Sequence, residues 1–160
     1  MSGSSWAEFE HSAPEFGEAG RRRLVGSDGV AIGFFATVGP RGGPHVSPVC
    51  PIFCGDDLYV SAGAHTPKVP DLRATRVYVL HAFLGANDEE FQVAGTATEV
   101  GDETERAAVH AAIPFAAFKR TDPVFRLAIE RAFWVHWENV GRPDTKPVRR
   151  RWPARAGSPG

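Results

Sequence analysis

Short runs of β-branched and aromatic residues, each closed by glycine or proline, recur along the chain and set the class of fold open to it. The spacing predicts strands over Val30–Val38, His45–Phe53, Leu58–Ala62, Arg76–Leu84 and Glu90–Val100. A long strand over Phe125–Glu138 and a short one over Lys146–Trp152 follow. Gly39–Pro44 and Gly55–Asp57 supply turns. Helical signals are fewer. Ser12 with Glu15 reads as a capping box opening a helix to about Leu24, and Asp102 with Glu105 opens another to about Ile113. A short helix after the third strand ends near Ala74. Successive hairpins without strand–helix–strand alternation argue for a mainly β (α+β) chain, an antiparallel barrel with peripheral helices.

Two details of the strands carry further. Pro48 and Pro51 cannot donate to a ladder, so the second strand needs an edge or a bulge there. In the long strand, Leu127, Ile129, Phe133, Val135 and Trp137 fall on one face at period two, interrupted by Arg131, with Trp134 and His136 on the other. A barrel wall has one inward face, so aromatics on both faces and an unpaired edge point to a homodimer.

The 160 residues suit one domain, with residues 1–11 as a flexible N-terminal tail, 12–152 as the folded unit and 153–160 as a C-terminal tail. A formal net charge of −1 gives no strong field for nucleic acid or an anionic membrane. No apolar run approaches the roughly 20 residues of a membrane helix, and the first residues lack the pattern of a signal peptide. With only two cysteines there is no disulfide framework, which suits a reduced, cytoplasmic protein.

Several chemistries find no motif. Cys50 and Cys54 read as small buried hydrophobes, since no further Cys or His pair lies nearby in sequence to complete a zinc site. The six histidines form no metal-binding pattern, and Walker, G-x-G-x-x-G and G-x-S-x-G motifs are absent. Arg21–Arg23 read as a solvated helix end. The basic stretch from Arg142 to Arg155 reads as a solvated strand, or one pairing with acidic groups across a dimer. The informative segment is Ser61–Lys68. Its hydroxyls, small residues and single lysine ahead of a helix make an anion cradle.

The run FFATVGPRGGPHVSPVCPIFCGDDLYVSAGAHTPKVPDLRATRVYVLHAF, continued by EEFQVAGTATEV, resembles the pyridoxamine 5′-phosphate oxidase-like FMN-binding split barrels. The similar text is A-T-V-G-x-x-G-x-P-x-V-S-P-V from Ala36 to Val49, then G-D-x-L-Y-x-S through Gly55, Asp56, Leu58, Tyr59 and Ser61. Lys68 and Leu72 follow, and then a V-x-G-x-A-x-x-V strand through Val93, Gly95, Ala97 and Val100. The resemblance covers residues 30–100 and implies an antiparallel split β-barrel that dimerises and binds FMN at its dimer interface.

By the same resemblance, the backbone of Val46, Ser47, Pro48 and Val49 would run along the isoalloxazine, with His45 beside them at a cofactor-binding position. Ser61 and Ala62 would sit by the ribityl phosphate, Thr66 and Lys68 would hold the phosphate, and Glu90 would reach the flavin of the partner site. The chain has Thr66-Pro67-Lys68 where members often carry Ser-Arg-Lys, and His45 where some carry arginine. Pro70 could move the start of the helix away from Lys68. The chain also lacks the C-terminal Arg-x-His pairing of the true oxidases, and Val46–Ile52 offers a mostly apolar wall without a cation, which argues for a small, largely apolar substrate rather than pyridoxamine phosphate. The activity implied is a flavin-dependent oxidoreductase with no separate catalytic acid or base. Alternatives are a non-catalytic flavin-binding or storage dimer and a deazaflavin-dependent reductase, while other relatives bind haem or nothing.

Overall fold

The computed structural model describes residues 3–114 and 119–154. Eight strands form one antiparallel sheet: β1 (Gly33–Val38), β2 (Pro44–Val49), β3 (Ile52–Cys54), β4 (Asp57–Ser61), β5 (Val77–Ala82), β6 (Glu90–Glu99), β7 (Val124–Glu138) and β8 (Lys146–Trp152). Helices α1 (Trp6–Ser12), α2 (Pro14–Leu24), α3 (Lys68–Thr75) and α4 (Glu103–Ala111) surround it. The strand order is β2-β1-β5-β6-β7-β4-β3, and β8 pairs with the end of β7 that β4 leaves uncovered. None of the described helices is long and apolar enough to cross a membrane.

The second predicted strand is two strands. Cys50 and Pro51 interrupt it, because Pro51 has no N–H to continue the ladder. β2 and β3 consequently lie at opposite edges of the sheet, although only two residues separate them. So short a link draws the two edges together and curls the sheet into a split barrel. β2 pairs only with β1, which leaves its other edge free, as its prolines require.

The N-terminal segment read as a tail is helical instead. Ser5 accepts from the Glu8 N–H while the Glu8 carboxylate accepts from the Ser5 N–H, a capping box for α1. Trp6 and Phe9 then enter the core and stack edge-on against Phe53 and Trp152 respectively. The expected cap at Ser12 does not form. Its hydroxyl donates back to the Phe9 carbonyl, and α2 starts at Pro14 with no side-chain cap. Of the expected C-terminal tail, residues 155–160 lie outside the described residues.

The long strand departs from period two. Ala94 pairs with Arg131 and Gly95 with Ile129, so Glu130 is an extra residue in β7 and forms a bulge. One inserted residue exchanges the faces. Leu127, Ile129, Ala132 and Trp134 all pack into the core, while Arg131 and Phe133 turn outward. Trp134, expected to need a partner chain, is covered within the chain. Phe16 of α2 packs edge-on against it at 6.1 Å, and the Trp134 indole N–H donates to Glu89 at 2.9 Å. Glu89 also accepts a bidentate pair from Arg22 (2.7 and 2.8 Å), which ties the solvated helix end of the sequence reading to the sheet.

Candidate functional site

The loop after β4 and the first turn of α3 carry the cradle residues. Ser61 ends β4, and its buried hydroxyl has no hydrogen-bond partner among the described residues. Ala62 beside it is buried and anchored through its N–H to the Pro123 carbonyl. Thr66 donates its hydroxyl proton to the Gly63 carbonyl at 2.8 Å, closing the turn ahead of α3, so that proton is already in use. α3 begins at Lys68, not at Pro70. Pro70 is tolerated there because the amides of a first helical turn have no partner within the helix. Pro67 and Pro70 together remove two donors from this helix end, so anion binding here rests on side chains. Lys68 is half-buried, and burial alone pulls its pKa below the ordinary lysine value; no carboxylate offsets it.

β2 supplies a second part of the site. Val46 and Pro48 face outward and are exposed, whereas Ser47 and Val49 turn inward and Val49 joins the core. His45 also turns inward, opposite Thr37, and its Nδ1–H donates to the Asp71 carboxylate at 2.6 Å. Asp71 is only 3% exposed and takes the Thr37 hydroxyl as well, at 2.7 Å. Burial pushes the Asp71 carboxyl up, but the bonds from His45 and Thr37 outweigh it and hold the pKa below the usual carboxylate value. With its Nδ1 committed to Asp71, His45 keeps Nε2 for other partners. Asp71 belongs to no sequence motif of the cradle. The only available signal was an acid in the first turn of a helix, which ordinarily means a favourable dipole contact.

Glu90 opens β6 opposite Val135 and stands apart from this cradle, on the outer face. That face carries two further features. One is an apolar patch in which the tilted rings of Phe34 and Phe83 meet with centroids 4.7 Å apart, on the face that also carries exposed Val46 and Ile32. The other is a cleft of about 440 Å³ over β5 to β8, lined by Gln92, Arg131, Phe133 and Arg151 above a floor of Val79 and Ala94. The sequence reading missed this cleft, because the bulge at Glu130 decides that Arg131 and Phe133 share its face. His136 and Trp134 point the other way and line neither feature. Among the described residues, no cluster of three or more His, Cys, Asp or Glu is placed to hold a metal ion.

Comparison of the whole chain decides the fold. A protein related to general stress protein 26, of the pyridoxine phosphate oxidase family, from Clostridium acetobutylicum superposes with a TM-score of 0.56 over 89% of this chain and 94% of its own, at 13% identity. The chain has the pyridoxamine 5′-phosphate oxidase-like split-barrel fold. Other split barrels of similar likeness include a heme-binding protein from Mycobacterium smegmatis (TM-score 0.53, 20% identity, 73% of this chain and 52% of that one). The heme storage protein HutZ from Vibrio cholerae is another (TM-score 0.52, 14% identity, 74% and 89%). No protein-family model matches the chain, and no curated protein does. The split-barrel fold therefore accommodates both oxidase-family and heme-binding proteins among its neighbours.

Proposed function

We propose that this split barrel binds FMN between two copies of the chain and transfers hydride to or from a small, largely apolar substrate. The observation that carries the reading is the orphaned, buried Ser61 hydroxyl at one end of the loop, with a half-buried Lys68 at the other. A buried hydroxyl without a partner costs about 1–3 kcal/mol, and a phosphate oxygen would satisfy it. Lys68 and Ser61 would hold the phosphate through their side chains. Thr66 would shape the turn through its bond to Gly63 rather than donate. The free edge of β2, from His45 to Val49, would lie along the ring, and Glu90 of the partner copy would complete the site.

FMN, when bound, supplies the hydride chemistry, and the chain's residues orient it and exclude water. Two copies would meet through the outer patch of Phe34, Val46 and Phe83, which is larger than scattered surface apolar residues require. The charge balance and the absence of long basic stripes suit a cytoplasmic, small-molecule role without nucleic acid.

The deciding measurement is the absorption spectrum of the purified protein, followed by titration of the colourless fraction with FMN while its fluorescence is recorded. Flavin bands and quenching on titration are expected. A Soret band with no FMN response would replace FMN by haem, and a deazaflavin spectrum would replace it by that coenzyme. With FMN bound, stopped-flow reduction by NADH and NADPH separates an oxidoreductase from a storage dimer.

A further inference from the structure

The outer cleft over β5 to β8 has a composition that the FMN reading does not use. None of the residues assigned to FMN above lines it. Its polar groups are the guanidinium groups of Arg131 and Arg151 and the Gln92 amide, and its lining includes no acid. Val79, Ala94, Ala132, Phe133 and Pro153 form the apolar part.

The sheet builds this arrangement in three steps. The Glu130 bulge turns Arg131 and Phe133 to the outer face. Pairing of β7 with β8 then sets Arg151 directly across from Phe133. The Arg151 guanidinium lies over the Phe133 ring, 5.1 Å from its centre, which limits the freedom of the fork. The small side chain of Ala94 leaves the space that the arginines border.

Charge pairing marks the contrast between the two faces of β8. Arg150, on the inner face, is paired with Glu15 and lies near the Trp134 ring. Arg131 and Arg151 have no carboxylate within ion-pair distance among the described residues, although two cations lining one cleft repel each other. A guanidinium fork matches the oxygens of carboxylate and phosphate, and the apolar floor excludes a bare, fully hydrated ion.

We propose that this cleft is a second binding site, for a small organic anion: one carboxylate or phosphate group on a compact apolar body. The anion lies between the Arg131 and Arg151 forks, its body rests on Val79 and Ala94, and the Gln92 amide donates to it. About 440 Å³ is within the range of small-molecule sites.

Isothermal titration of the purified protein with benzoate and with phenyl phosphate tests this, with benzylamine as the cation of similar shape. Binding of at least one of the two anions is expected, and the tighter one identifies the head group. Arg131→Gln and Arg151→Gln should each raise its Kd by about 10-fold or more, since charge-assisted bonds are lost. Arg131→Lys, which keeps the charge and loses the fork, should fall between. Thermal unfolding of each variant establishes that it is folded. Ala94→Leu fills the floor beside Arg131 without removing either charge and should weaken the same anion. Neither anion binding, benzylamine binding as tightly, or an unchanged Kd in both folded arginine variants would overturn the site. Lys68→Ala should leave benzoate binding unchanged, which separates this result from the fate of the FMN reading.

Discussion

His45 Nδ1 stands 2.6 Å from the Asp71 carboxylate, an exposed imidazole held by a carboxylate that is itself buried. Thr37 holds the same oxygen from the other side, so β1, β2 and α3 are joined at one atom. Asp71 has a lower pKa in the fold than in the unfolded chain. A carboxyl so shifted stabilises the fold fully above the unfolded value of about 3.9, and that stabilisation disappears as pH falls through the folded value. Asp71→Asn should therefore cost about 1–3 kcal/mol near neutral pH. It should also flatten the acid limb of stability measured by urea unfolding across pH. An unchanged acid limb would show that Asp71 does not carry this dependence.

Gly95 lies where β6 meets the bulge, and a Cβ there would run into the Ala128 carbonyl oxygen and crowd the Glu130 N–H. Both are backbone atoms and cannot swing aside. Gly95→Ala should destabilise by about 3 kcal/mol or more, in the range of mutations that force the backbone to move. Urea unfolding measures it, and a loss under about 0.5 kcal/mol, typical of neutral surface changes, would show that the strand shifts freely.

Lys68→Ala should weaken FMN by roughly 10- to 100-fold in a fluorescence titration, the worth of one charge-assisted hydrogen bond. Burial lowers the pKa of this lysine, and only its protonated form carries the charge. FMN affinity should accordingly fall as pH rises through that lowered value. Lys68→Arg, which stays protonated, should keep its affinity further into the alkaline range. Equal affinity in wild type and Lys68→Ala would remove Lys68 from the site.

The Phe34–Phe83 patch predicts the assembly. Light scattering at micromolar concentration should give the mass of two 17.3 kDa chains. Val46 is 66% exposed and Phe34 46%, so replacing both with glutamate costs little within one chain yet places charges in the contact. The double variant should be monomeric and folded. A dimer that survives it would have to use another face.

The strand order in sequence, the helix after Asp102 and the last strand from Lys146 to Trp152 were legible because alternation and caps are local. Ser61, Thr66 and Lys68 were legible as a cluster for the same reason, since eight consecutive residues hold all three. Tertiary structure decided the rest. Which face Phe133 and Arg131 take depends on one inserted residue opposite Gly95, and a period-two reading carries no mark of an insertion. Trp6 and Phe9 look like part of a tail until α1 finds the core. Asp71 becomes the acceptor for His45 only when a strand 26 residues earlier is laid beside its helix. Propensity and spacing act over a few residues, whereas burial and pairing join residues far apart in the chain, so contacts of the second kind are settled only by the packed sheet.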